Sequence, residues 1–201
     1  MNIVNALQII TTSIEKARNA SPIAAAHVSL LAASKTQSVE VIEQAIAAGI
    51  TCFGENRVQE AQEKWVELKN KHPHIQLHLI GALQTNKVKQ ALALFDVIQT
   101  LDRVGLAEVL SAELRVQRSK NTQNSALKTQ HFYIQVNTGA EPQKSGVLSE
   151  NADEFIAYCR KLELPVVGLM CVPPASQPPA PHFALLREIA LRNSLSELSM
   201  G

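Results

Sequence analysis

Cysteine, aromatic residues and excess charge are all scarce in this sequence, and each scarcity argues against a class of protein. The three cysteines, Cys52, Cys159 and Cys171, are far apart and never arranged as Cys-x-x-Cys. The sequence therefore predicts buried free thiols rather than a disulfide framework or a zinc site. Nineteen Lys and Arg balance eighteen Asp and Glu, and aromatic residues make up only 4% of the chain. This composition is not typical of a nucleic-acid-binding protein.

Long hydrophobic runs are also missing. No apolar run reaches the length of a membrane span, and no basic segment leads into a hydrophobic stretch near Met1. The sequence therefore predicts a cytoplasmic protein with no membrane partner. Hydrophobic residues make up 46% of the 201 residues, which is enough for one sizeable core. We expect a single domain over residues 1–201, and we expect a monomer because no additional apolar surface is evident.

Apolar runs alternate with helical periodicity along the chain, which predicts a mainly parallel sheet. The seven predicted strands are 27–34, 50–54, 75–81, 97–101, 131–137, 165–172 and a short run near Leu198. The predicted helices are an amphipathic segment from Ile3, a segment from Val39, and 58–69, 86–95, 103–118, 151–162 and 182–193. Residues 119–128 are polar and predict a surface loop. Residues 173–181 hold five prolines and predict neither a regular helix nor a central strand.

The glycines help to choose between two α/β architectures. A nucleotide-binding sheet has a glycine-rich first turn, and no two of the eight glycines here are two residues apart. Repeated βα units without such a turn favour a (β/α)8 TIM-type barrel, which places its chemistry at the carboxyl ends of the strands. Because the sequence stops after the seventh apolar run, we expect the C-terminal βα unit of that barrel to be missing.

Lys35 follows the first predicted strand, where a barrel carries its chemistry. If the apolar residues before it shield the side chain, its neutral amine can attack an aldehyde and form a Schiff base. The alternative is a lysine whose stem covers the barrel rim while its charged end stays in water. Position alone leaves both interpretations open.

Other strand ends carry residues that suit ligand binding, with polar or polarisable side chains or an accessible backbone. The amide of Asn56 can bind a ligand or a loop, and Met170 can pack against a flat ligand or fill the core. Ser199 and Gly201 lie where many barrels bind phosphate.

Three further residues near strand ends have structural interpretations. Glu55 and Glu60 are both placed to pair with Arg57, in helix capping and surface charge pairs. His78 alternates with apolar residues, as a core histidine with satisfied hydrogen bonds does.

Six motifs, taken together and in order, resemble the pyridoxal phosphate homeostasis proteins over nearly the whole chain. They are A-x-S-K at 32–35, F-G-E-N-R-V-Q-E at 53–60, H-L-I-G-x-L-Q-x-N-K at 78–87, V-N-x-x-x-E-x-x-K-x-G at 136–146, G-L-M-C-x-P at 168–173 and L-S-M-G at 198–201. No single motif would suffice, but the combination is specific.

The resemblance implies a barrel similar to the N-terminal domain of bacterial alanine racemase, with pyridoxal 5′-phosphate held as a Schiff base on Lys35. It also implies that Asn56 and Met170 lie beside the cofactor and that Ser199 and Gly201 approach its phosphate. Family members resemble carriers or regulators of the free cofactor in vitamin B6 balance, and the implied recipients are pyridoxal-phosphate-dependent apoenzymes. They continue past L-S-M-G into a segment that completes phosphate binding, so we expect part of the phosphate site to be missing here.

Two alternatives differ from a carrier. A small racemase or transaminase needs a second acid/base group, and the chain has only Tyr133, within a predicted strand, and Tyr158, within a predicted helix. An interaction protein could instead dock a partner on the proline-rich segment Pro173 to Pro181.

Overall fold

Eight strands and seven α-helices alternate along residues 2–21, 27–120 and 130–201, which this computed structural model describes. The strands are β1 (Ala32–Ala33), β2 (Cys52–Glu55), β3 (Gln76–Leu79), β4 (Val97–Leu101), β5 (His131–Asn137), β6 (Val147–Leu148), β7 (Val166–Cys171) and β8 (Glu197–Met200). The helices are α1 (Ile3–Ala20), α2 (Val39–Ala47), α3 (Val58–Lys71), α4 (Val88–Leu94), α5 (Val104–Lys120), α6 (Ala152–Lys161) and α7 (Pro179–Arg192). Short 3₁₀ helices span Thr85–Lys87 and Ser149–Asn151.

The strands form one parallel sheet in chain order, β1-β2-β3-β4-β5-β7-β8, with β6 paired only to β5. A hydrogen bond across the sheet shows that it curls. The Ser199 hydroxyl in β8 donates to Gln99 Oε1 at 2.7 Å, although Gln99 lies in β4, three strands away along the sheet. In the described residues no ladder joins β1 to β8. The curled parallel sheet with crossover helices confirms the barrel-type prediction. The sequence missed β6, and β1 is much shorter than the predicted strand 27–34.

The strand register gives the sheet two different faces. Most residues that point to the helices are apolar and buried, among them Phe53, Leu79, Ile98 and Leu169. They pack against helix residues such as Trp65, Ile156 and Leu186, and burying each such side chain stabilises the fold by about 1.5–3 kcal/mol. The opposite, interior face carries Cys52, His78, Gln99 and Ser199, which hydrogen-bond to one another. The main core therefore lies between sheet and helices, while the interior face of the sheet carries a hydrogen-bonded polar cluster.

The proline-rich segment is partly helical, which corrects the prediction for residues 173–181. Helix α7 begins at Pro179 and includes Pro181 in its first turn. Proline is tolerated there because the first N–H groups of a helix have no partner within it. The predicted loop 119–128 begins in α5, which runs to Lys120, and its residues 121–128 lie outside the described residues. None of the helices in the described ranges combines the length and the apolar character needed to cross a bilayer.

Candidate functional site

The residues predicted to bind a cofactor all lie at the carboxyl edge of the sheet. Lys35 is exposed in the turn that follows β1, and Asn56 is half-buried directly after β2. Met170 and Ser199 are Cα partners in the β7–β8 ladder, with Met170 buried and Ser199 half-buried. Gly201 follows β8 and is exposed. Because parallel strands end at one edge, the strand ends and turns that carry these residues surround one region.

The turn that carries Lys35 is held on helix α3 by its neighbours in sequence. The backbone N–H of Thr36 donates to Glu60 Oε1 at 2.8 Å, and Lys64 Nζ donates to the carbonyl oxygen of Ser34 at 3.2 Å. Thr36 has φ 64°, in the left-handed region that a β-branched residue rarely adopts. The hydrogen bonds on both sides of Lys35 therefore fix a strained turn, while the lysine side chain stays exposed rather than shielded by apolar residues.

Glu55 is the fully buried centre of this arrangement. Its Oε1 accepts hydrogen bonds from the Ser34 hydroxyl at 2.8 Å and Trp65 Nε1 at 3.0 Å, and it forms an ion pair with Lys64 Nζ at 2.8 Å. The predicted pairing with Arg57 is therefore wrong. Glu55 faces the helix layer, where α3 places Lys64, whereas Arg57 is exposed.

The Lys64 contact was missed by the sequence reasoning, although a signal was available. A carboxylate inside a buried strand is stabilised by a counter-charge and hydrogen-bond donors from the elements packed against it, and a helix lysine is a natural source of the charge. Lys64 is the lysine that helix α3 presents at this position, and it also contacts Glu60 at 3.1 Å. We call this set, Ser34, Glu55, Glu60 and Lys64, the turn clamp.

Asn56 lies against Gly81 of the next strand end. A Cβ atom at Gly81 would lie 2.2 Å from the Asn56 carbonyl oxygen and 2.7 Å from its Cα. Both of these atoms belong to the backbone, which cannot move aside as a flexible side chain can. The position of Asn56 therefore depends on glycine at residue 81.

Gly81→Ala is expected to lower the free energy of unfolding by about 1–3 kcal/mol and to displace the Asn56 backbone, because the added methyl group overlaps it. Gly105→Ala is the matched control, since a Cβ atom there meets nothing within 4 Å and alanine favours the helix by up to about 1 kcal/mol. Urea denaturation of the two variants measures the difference. Equal stability of the two variants would contradict the close approach.

A chain of hydrogen bonds crosses the barrel interior behind Ser199. Ser199 Oγ donates to Gln99 Oε1 at 2.7 Å, Gln99 Nε2 lies 2.7 Å from His78 Nδ1, and His78 Nε2 lies 3.3 Å from Cys52 Sγ. Burial lowers the pKa of His78 to about 4, so the ring is neutral near pH 7. His78 is thus a buried histidine with both ring nitrogens hydrogen-bonded, in agreement with its structural interpretation. We call these four residues the interior chain.

Two other groups near the edge already have protein partners. The N–H of Gly201 donates to the Cys171 carbonyl oxygen at 3.2 Å, which continues the β7–β8 ladder. Lys144 Nζ forms an ion pair with Glu141 at 2.6 Å and donates to the Pro173 carbonyl oxygen at 3.1 Å. Lys144 is therefore held in place by the loops, in contrast to the exposed Lys35.

Comparison with known proteins places this fold in one class. The family described as the alanine racemase N-terminal domain matches residues 7–197. An alanine racemase of Clostridium difficile 630 shares the fold, with a TM-score of 0.64 and 11% identity over 87% of this chain and 46% of that chain. The family match and the shared fold therefore define an alanine-racemase-type barrel domain.

Closer relatives narrow the assignment. The chain is 40% identical over 184 residues to a pyridoxal phosphate homeostasis protein of Aquifex aeolicus, covering 86% of this chain and 75% of the relative. PipY of Synechococcus elongatus PCC7942, solved without PLP, has a TM-score of 0.74 and 32% identity, covering 94% of this chain and 86% of PipY. PipY solved with PLP bound has a TM-score of 0.69, 27% identity and the same coverage. The chain belongs to the pyridoxal phosphate homeostasis protein family, which confirms the resemblance in its motifs.

Proposed function

We propose that this chain binds pyridoxal 5′-phosphate reversibly at Lys35. It acts in the homeostasis of this cofactor in the cytoplasm and does not catalyse a reaction. The observation that carries the proposal is the exposed Lys35 on a turn fixed from both sides, in a chain whose relative PipY has been solved with PLP bound. When bound, the cofactor supplies an aldehyde that a primary amine attacks to form a Schiff base.

The residues at the carboxyl edge fit such a group. Lys35 offers an accessible primary amine, and the turn clamp fixes the backbone that carries it. Met170 offers a polarisable thioether suited to an aromatic ring, and Asn56 offers an amide. Ser199 offers a hydroxyl for the phosphate side, whereas the Gly201 N–H is already used in the β7–β8 ladder. We propose that Lys35, Asn56 and Met170 contact the aldehyde and ring and that the Ser199 and Gly201 region lies toward the phosphate.

The two tyrosines support a carrier rather than a racemase. Tyr133 is half-buried in β5, where burial and the nearby Glu197 carboxylate raise its pKa to about 12. The Tyr158 hydroxyl donates to Glu108 at 2.8 Å in the helix layer. Neither group stands free at the carboxyl edge to exchange a proton with an amino acid on the far face of the cofactor.

We therefore expect no exchange of the α-proton of L-alanine with solvent deuterium beyond the rate that free pyridoxal phosphate supports. Proton NMR in D₂O with equal cofactor concentrations, with and without protein, measures that rate. Lys35→Ala is the control for catalysis at the proposed site. Exchange that is faster with the natural chain and slow with the variant would favour the racemase or transaminase alternative.

The proposed recipients are pyridoxal-phosphate-dependent apoenzymes, and the proposed state is a monomer. The test is the recovery of activity by an apoenzyme mixed with the loaded protein, followed against free cofactor at the same concentration. Sedimentation at equilibrium measures the mass of the carrier itself.

The proline-rich loop has a role within the chain, since the Pro173 carbonyl accepts from Lys144 and Pro174 packs close to Gly139. No contact of this loop favours a docking function over the carrier.

A further inference from the structure

The hydrogen bonds of the interior chain donate in one direction, from Ser199 toward Cys52. That direction decides whether Ser199 can donate to a ligand. A serine hydroxyl has one proton. In the arrangement described above, this proton is donated to Gln99 Oε1, so Ser199 can offer only its lone pairs to any other group. A phosphate needs donors, because its oxygens are acceptors. While its proton is donated to Gln99, Ser199 therefore cannot donate to the phosphate that we propose it contacts.

The same positions of the heavy atoms also satisfy the opposite direction. If the amide of Gln99 turns end for end, its NH₂ group donates to Ser199 Oγ and its oxygen accepts from His78 Nδ1–H. His78 Nε2 then accepts from the Cys52 thiol, 3.3 Å away. Each member of the chain permits this change: a thiol, a neutral imidazole with two tautomers, an amide and a hydroxyl.

The two titratable members of the interior chain, Cys52 and His78, stay uncharged in both directions. Burial raises the pKa of Cys52 to about 11, so its thiol carries the proton that the reversed chain donates. His78 is a neutral ring near pH 7 for the reason given above, so it is always a donor at one nitrogen and an acceptor at the other. Reversal therefore moves no net charge and leaves no member without a partner.

We propose that binding of a phosphate-bearing ligand reverses the interior chain and converts Ser199 from a donor to Gln99 into a donor to the ligand. Gln99 and His78 are then positioning residues that set the hydrogen-bonding character of Ser199 from inside the barrel. This inference rests on the proposed function, since it assigns Ser199 to the phosphate side of the bound cofactor.

The tautomer of His78 reports the direction of the chain. Nitrogen NMR of ¹⁵N-histidine-labelled protein, with the signals assigned to His78 through its side-chain correlations, distinguishes the two ring nitrogens. We expect Nε2–H in the protein alone and Nδ1–H after pyridoxal phosphate is added. Inorganic phosphate at high concentration is expected to shift the equilibrium in the same direction.

Two variants test the link to Ser199. In Ser199→Ala, His78 is expected to keep Nε2–H when pyridoxal phosphate is added, and the affinity is expected to fall by about 10- to 100-fold through loss of one charge-assisted hydrogen bond. Gln99→Met interrupts the chain but leaves the Ser199 hydroxyl free to donate. In this variant His78 is expected to show no tautomer change when pyridoxal phosphate is added, because no hydrogen-bonded path joins it to Ser199.

The outcomes separate this inference from the proposed function. A borohydride-reducible adduct on Lys35 with His78 unchanged at Nε2–H would overturn the reversal alone. A tautomer change that persists in Ser199→Ala would also overturn it, because Ser199 would then not be the trigger. Absence of any adduct on Lys35 would overturn the proposed function and the inference together.

Discussion

Lys35→Ala is expected to abolish the covalent adduct with pyridoxal phosphate while leaving the fold intact. The amine of Lys35 is the proposed attachment point, and alanine offers no nucleophile in its place. The side chain is exposed, and the contacts that fix its turn come from neighbouring residues, so the free energy of unfolding should change by no more than about 0.5 kcal/mol. Intact mass after borohydride reduction, followed by peptide mapping, measures the amount and position of the adduct.

Lys144→Ala is the matched control for Lys35→Ala. Lys144 is also at the carboxyl edge, but its amine is held by Glu141 and by the Pro173 carbonyl oxygen. We expect this variant to retain the adduct on Lys35. An adduct that survives Lys35→Ala and disappears in Lys144→Ala would move the attachment point to the second lysine.

The overall architecture could be predicted because parallel strands with crossover helices leave a strong repeating pattern. Strands such as Val97–Leu101 and His131–Asn137 are apolar enough that their bounds agree with the sequence prediction. The two-residue β1 and β6 were harder to predict. Their pairing with neighbouring strands is a long-range property, which short segments do not encode in their own composition.

The candidate site could be predicted only in part, for a related reason. The shared location of Lys35, Asn56, Met170 and Ser199 at the carboxyl edge follows from the strand ends, while their contact with a cofactor stays a prediction. The partner of Glu55 could not be predicted from the sequence. Nearness in sequence favours Arg57, but Glu55 points to the helix layer, where Lys64 of α3 lies within ion-pair distance. The interior chain was also missed. Its members on β2, β3 and β4 lie on neighbouring strands, but only the curl of the sheet brings Ser199 of β8 to them.

Lys64→Met is expected to be the most destabilising single substitution of the turn clamp, lowering the free energy of unfolding by about 3–5 kcal/mol. The Glu55 side chain is fully buried and that of Lys64 is only 11% exposed, so removing the cation leaves a carboxylate in the protein interior without its counter-charge. Lys71→Met is the matched control on the same helix. Its partner Glu43 lies 3.4 Å away, both side chains are largely exposed, and the expected loss is no more than about 1 kcal/mol.

The charge explanation can be separated from lost packing by a double variant. Glu55→Gln combined with Lys64→Met removes both charges, while the amide oxygen can still accept from the Ser34 hydroxyl and Trp65 Nε1. Urea denaturation at pH 7 should therefore find the double variant more stable than Lys64→Met alone. Equal stability would assign the loss to the lysine stem and its backbone contacts. Because Lys64 also binds the Ser34 carbonyl, both variants should form the Lys35 adduct more slowly than the natural chain, even under conditions where they remain folded.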